Sequence, residues 1–183
     1  MFYVTILIIT GVVVFIIARE VARTFRHVFC VPEGWAGLVY QHGLYVRRSN
    51  AGRHVIWGRG WTVNLVDLRK AFLPVNGQEV LTANNVSLKV CLLVTYQVAD
   101  PVKAVHETQH WQNDLSYAAE LALCTAANGI TSEALPGQRA ELGAQLLACV
   151  QPRAVKIGVS VLAIEVRDIS RVTRENPLRI AWC

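Results

Sequence analysis

Residues 86–101 read Val86-Ser87-Leu88-Lys89-Val90-Cys91-Leu92-Leu93-Val94-Thr95-Tyr96-Gln97-Val98-Ala99-Asp100-Pro101. From Val86 to Val98 an apolar or aromatic side chain fills every second position, so the stretch predicts one long strand with a buried face. The period then changes. Asp100 followed by Pro101 is a helix N-cap with proline at the first helical position, where its missing N–H costs nothing. A short helix to about His110 follows, with Val102 and Val105 on its inner stripe. Asn113-Asp114 starts a second helix and Asn128-Gly129 stops it. Thr131 or Ser132 can cap a third, which carries Leu142, Leu146, Leu147 and Val150 at helical spacing and ends near Gly158. A last strand runs from Val159 to Ile169.

Upstream of this core the signals are those of short strands. Ala36–Tyr40 and Leu44–Arg47 flank a turn at Gln41-His42-Gly43 and read as a hairpin. Arg53–Trp57 and Thr62–Arg69 follow, separated by Gly58-Arg59-Gly60. Another strand, Gln78–Thr82, lies between Gly77 and a turn at Asn84-Asn85. Strands first, helices next and one closing strand give the α+β class.

The 183 residues are 53% hydrophobic and only 17% charged, against about 25% charged in an ordinary soluble domain. The excess lies at the amino terminus. Phe2–Ala18 carries no charge, and 17 residues at about 1.5 Å each reach roughly 25 Å, the short end of a bilayer core. With no basic n-region and no small-residue cleavage site before Arg19, the stretch reads as a retained anchor over residues 1–18 rather than a cleaved signal. Arg19, Arg23 and Arg26 follow it, which places the rest of the chain in the cytoplasm as a single-pass membrane protein. Residues 19–31 read as a basic juxtamembrane linker ending at Pro32-Glu33-Gly34.

Residues 1–70 hold nine Arg/Lys against three Asp/Glu, and the remainder holds nine against ten. The basic excess therefore sits beside the anchor, where anionic headgroups attract it by about 1 kcal/mol per well-placed charge. Nucleic acid is excluded as a partner, since no basic cluster with stacking aromatics follows residue 70. The membrane-proximal candidates are Arg19, Arg23, Arg26, Trp35, Arg47, Arg48 and Arg53. Trp35, Trp57 and Trp61 either anchor at headgroup level or pack within a small sheet.

Chemistry-bearing patterns are few. His106-Glu107-Thr108-Gln109-His110 matches H-E-x-x-H, in which two imidazoles one helical turn apart bind zinc and the glutamate is the base. This defines the alternative reading, a membrane-bound zinc hydrolase. Against it stand the approaching helix end and the lack of any histidine downstream of His110. Five cysteines (30, 91, 124, 149 and 183) include no C-x-x-C pair and fit reduced thiols; Cys91, Cys124 and Cys149 read as small packing residues. Asp67, Asp100 and Asp168 fit strand ends and caps. The reading therefore assigns no catalytic residue, no cofactor and no metal.

Several strings taken together resemble a known family. They are Pro32-Glu33-Gly34-Trp35-Ala36-Gly37-Leu38-Val39, Gly52-Arg53-His54, Val66-Asp67-Leu68-Arg69, Gly77-Gln78-Glu79-Val80-Leu81-Thr82-Ala83-Asn84-Asn85-Val86 and Val94-Thr95-Tyr96-Gln97-Val98-Ala99-Asp100-Pro101. With Gln138–Leu142 and Val166–Ile169, these resemble the SPFH (band 7) family, nearest its stomatin-like or slipin branch. The resemblance implies an SPFH domain over 32–169, an antiparallel sheet packed with helices and preceded by one transmembrane helix. It also implies a non-catalytic scaffold that forms homo-oligomers on the lipid bilayer, organises microdomains and regulates membrane proteins such as NfeD-type proteins, membrane proteases or channels. Two departures stand out. Leu135-Pro136-Gly137 moves the third helix's start to near Gln138. Residues 170–183 replace the family's long Ala/Glu-rich helix with a divergent tail broken at Pro177.

Overall fold

The computed structural model describes residues 2–24 and 26–171; of α1's side chains, those of 4–10, 21, 22 and 24 lie outside the description. The tail beyond 171, Cys183 included, also lies outside it. The chain divides into two compact units, one up to Asp67 and one from Leu68.

The first unit begins with α1 (Phe2–Thr24). It continues with β1 (Arg26–Val31), β2 (Trp35–Gln41), β3 (Leu44–Ser49), β4 (Gly52–Trp57) and β5 (Trp61–Asp67). Over the described residues alone, no helix is long and apolar enough to cross a membrane. The five strands make a β1–β4 ribbon and a three-stranded sheet in the order β3-β2-β5, with all pairs antiparallel. Gln41 pairs with Leu44, leaving the two-residue loop His42-Gly43. Both of these residues have positive φ, 51° and 85°, as a type I′ hairpin turn requires. β2 is the central strand of its sheet, and Ala36, Gly37, Leu38 and Val39 are buried in succession. Val31, Ile56 and Val66 complete this small core.

Two expectations change here. Residues 26–31 are a strand rather than linker, because β4 supplies a full antiparallel partner from Arg26↔Trp57 to Val31↔Gly52. Helix α1 also runs past residue 18 into the basic segment.

The second unit contains β6 (Ala71–Leu81), β7 (Ser87–Val98), α2 (Pro101–His106), α3 (Trp111–Ala127), α4 (Arg139–Lys156) and β8 (Val159–Arg171). Its antiparallel sheet has β7 in the middle, with β6 and β8 on either side. Leu88, Val90, Leu92, Val94, Tyr96 and Val98 are all buried, which is the alternate face read from the sequence. The helices cover that face. Leu115, Leu123, Leu142, Leu146 and Val150 join the strand residues in one core, and Tyr96 meets the Trp111 ring edge-on at 5.1 Å. α4 packs closely on β8 at Gly143, where a Cβ would overlap the Ile164 carbonyl.

Asp100 caps α2 as its sequence predicts, accepting from the Val102 and Lys103 amides at 3.1 and 3.4 Å. The helix is shorter than expected, however, and its buried residues are Pro101 and Ala104. Val102 and Val105 are only half-buried. Strand β6 starts seven residues before Gln78, with a bulge at Asn76-Gly77 between Val75↔Leu92 and Gln78↔Val90. Strand β8 extends to Arg171, so Ser170 and Arg171 belong to the sheet rather than to the tail. α4 begins at Arg139, after Leu135-Pro136-Gly137, where the proline and glycine leave room only for turns.

The Thr82–Val86 string proves to be a clasp. Thr82 Oγ1 donates to Asn84 Oδ1 at 2.7 Å or the Val86 carbonyl at 2.9 Å. Asn84 Nδ2 donates to Ser132 Oγ at 2.9 Å, and the Ser132 amide donates back to Asn84 Oδ1 at 3.2 Å. Thr82 and Ser132 are buried, so these bonds satisfy polar groups that would otherwise cost about 1–3 kcal/mol each. They tie the β6–β7 turn to the α3–α4 connection.

Candidate membrane-facing surface

Strand alternation sorts the β1–β4 ribbon into two faces. Arg26, Val28 and Cys30 lie opposite Trp57, Val55 and Arg53, and directly paired residues point to the same side. All six are exposed. On the reverse side Val31 and Ile56 are buried, and the half-buried Phe29 ring stacks on His54 at 5.2 Å. The exposed face therefore carries two arginines, a Val–Val pair and a tryptophan that is 60% exposed. A tryptophan beside apolar and cationic side chains is the composition favoured at a membrane–water interface.

The other candidates are distributed differently. Arg19 and Arg23 flank Glu20 on α1, with contacts of 3.9 and 2.8 Å to its Oε1, so one carboxylate offsets part of the basic flank. Arg47 and Arg48 are exposed on β3, a strand of the other sheet. As neighbours in a strand they point to opposite faces. Trp35 is half-buried at the start of β2, opposite Asp67. Trp61 is half-buried too, its Nε1 donating to the Trp57 carbonyl at 3.0 Å. The geometry thus unites Arg26 with Arg53 and separates both from Arg47, Arg48 and Trp35.

The sequence reading missed Val28 and Val55, and it missed the apolar run Leu44, Tyr45 and Val46, which is exposed on β3. A signal was present. Arg-His-Val occurs at 26–28 and again at 53–55, each copy followed by further apolar residues. Tyr45 also meets Tyr40 edge-on at 5.9 Å. Burial, helped by the Tyr45 phenol, pushes the Tyr40 phenol above its ordinary value.

The H-E-x-x-H segment does not form a two-histidine helical face. α2 ends at His106, Glu107 is its C-cap, and His110 is the N-cap of α3. The chain turns between the two imidazoles, which removes the i, i+4 geometry the zinc reading needs. No group of three or more potential metal ligands occurs among the described residues. Cys124 and Cys149 are exposed rather than packed inside, because they fall on the outer sides of α3 and α4. Cys91 is half-buried and its Sγ accepts from the Gly77 amide at 3.4 Å.

Two separate folded units with antiparallel sheets, the second joined through a Thr-Ala-Asn-Asn-Val clasp and an Asp-Pro cap, agree with the family comparison. The model of the SPFH domain / Band 7 family matches residues 29–175, and the chain belongs to that family. Among its relatives are stomatin homologs of Pyrococcus horikoshii and Pyrococcus abyssi. Each is 26% identical and covers 92% of this chain, and the matched regions are 62% and 60% of those proteins. An uncharacterized protein of Archaeoglobus fulgidus is 29% identical over 139 residues, 76% of this chain and 56% of its own length. The chain thus spans about six-tenths of the curated relatives it matches.

Proposed function

We propose that this chain is a membrane-anchored, non-catalytic scaffold of the stomatin type. α1 is the single-pass anchor, and the folded units lie on the cytoplasmic side. The observation that carries this reading is the exposure of α1. Val12, Val13, Val14, Phe15, Ile16 and Ile17 are 47–69% exposed, and six successive helical positions cover the whole circumference. A helix apolar all round belongs in a core or a bilayer. Removing these six side chains from water is worth on the order of 10 kcal/mol, too much to leave to solvent. The uncharged part of α1, Phe2–Ala18, extends about 25 Å, the short end of what crosses a bilayer core, with Arg19 and Arg23 beyond it at headgroup level.

Helix α1 is followed at once by β1, so the Arg26/Val28/Cys30 and Arg53/Val55/Trp57 face would lie against the cytoplasmic leaflet. Arg19, Arg23, Arg47 and Arg48 add attraction to anionic headgroups, and Trp35 marks the start of the next strand. The stomatin-like relatives support assembly of many copies on the bilayer. In that role the protein organises lipids or regulates membrane proteins of the NfeD, protease or channel kind. The family's scaffolding character, and the lack of a joint face for His106 and His110, favour this over hydrolysis.

Two measurements test the reading. In vesicles carrying bromine on the upper acyl chain, Trp57 fluorescence is expected to be quenched, and Trp57→Phe should remove the quenched component. Equal quenching with and without Trp57 would take the ribbon away from the membrane. In mild detergent, the native mass is expected to be several times the 20.3 kDa of one chain; a monomer at all concentrations would refute the scaffold.

A further inference from the structure

The second unit carries a groove along its outer surface between α3 and α4. Two adjoining cavities of about 340 and 290 Å³ share Ala118, Leu121 and Arg153 as lining. Their floor includes Ala118 and Ala122, whose small side chains let another surface approach closely. On the α3 rim, Asp114, Tyr117, Leu121 and Thr125 recur at three- and four-residue spacing, which aligns them on one side of the helix. Tyr117 is 64% exposed and Leu121 is 52% exposed.

Charge selects the occupant. Asp114 and Arg153 line the same cavity, yet neither makes an ion pair among the described residues. A surface of anionic lipid would favour apolar and cationic side chains and would repel the Asp114 carboxylate. A groove bearing one free carboxylate and one free guanidinium beside an exposed tyrosine is complementary to itself. In a two-fold contact each copy offers Asp114 to the other's Arg153, and the Tyr117/Leu121 stripes meet between them.

We infer that the α3/α4 groove is a self-association surface that receives the same groove of a second copy. The inference rests on the oligomer reading above and names its contact. Two helices of 17 and 18 residues present a footprint of roughly 25 by 20 Å. That is about 500 Å² per copy, or about 1,000 Å² in total, the low end for a specific interface. A contact of this size is weak in dilute solution and suits copies concentrated on a common membrane.

The test is the native mass of the full chain in mild detergent, together with the charge-swap set. Leu121→Asp, Asp114→Arg and Arg153→Asp should each shift the mass to smaller species. Asp114→Arg combined with Arg153→Asp should restore it, since the swapped charges face each other again. All three positions are at the surface, and unchanged circular dichroism checks that each variant folds. If the wild type exceeds one chain and no single variant changes its mass, the groove is not the contact, while the oligomer stands. Failure of the double variant to recover would overturn the two-fold pairing. A monomeric wild type would overturn both readings.

Discussion

Gly158→Val is expected to destabilise the second unit by about 2–5 kcal/mol. Gly158 has φ +73°, and a Cβ there would overlap the Asp100 carbonyl oxygen and crowd Lys103 Cβ and the Ala104 amide. The left-handed backbone alone costs an L-residue roughly 1–2 kcal/mol, and the forced displacement adds about 1–3 more. The overlap falls at a junction. The Ala99 and Asp100 amides donate to the Gly158 carbonyl at 3.0 and 2.9 Å, joining the end of β7, the cap of α2 and the start of β8. Amide exchange followed by mass spectrometry should show the largest loss of protection in peptides covering 95–106 and 157–166. Wild-type protection in those peptides would mean that the junction tolerates a side chain.

Leu123→Ala is the second large effect, an expected loss of about 2–5 kcal/mol. Leu123 is fully buried on α3, in one core with Leu92 and Val94 of β7 and Leu146 of α4. Deleting its side chain leaves a void against both the sheet and the neighbouring helix. Leu123→Met conserves volume and should cost less than about 1.5 kcal/mol. Urea denaturation of the two variants beside wild type separates a packing role from a mere preference for leucine.

Much of the second unit is legible from the chain alone, because its signals are local. The thirteen-residue alternation at 86–98 needs only the two-residue repeat of a strand. The Asp100-Pro101 cap and the Asn128-Gly129 stop work through hydrogen bonds within a few residues of themselves. What escaped depends on partners distant in sequence. β1 is a strand because β4, 26 residues from Arg26 at its near end, completes its hydrogen bonds; alone, Arg-His-Val-Phe-Cys-Val reads equally as linker. The first half of β6 is hidden by Pro74 and by the bulge at Asn76-Gly77, both of which look like breaks.

The candidate surface was legible in charge but not in shape. Counting arginines locates the basic third, and strand pairing decides which arginines share a face. That pairing puts Arg26 with Arg53 and leaves Arg47 and Arg48 on another sheet. The cysteines show the same limit from the other side. Cys124 and Cys149 sit beside alanine and leucine in the sequence, but the helical turn carries them outward. The His106–His110 spacing likewise has chemical meaning only on an unbroken helix, and the helix ends at the first imidazole.

The most direct test of the account is an alkaline carbonate wash of membranes from cells making the intact chain, followed by flotation. Helix α1 inserted in the bilayer predicts that the protein floats with the lipid after the wash, while a chain beginning at residue 26 loses that resistance and is released. Recovery of the intact chain in the soluble fraction would contradict the anchor, and with it the scaffold built upon it.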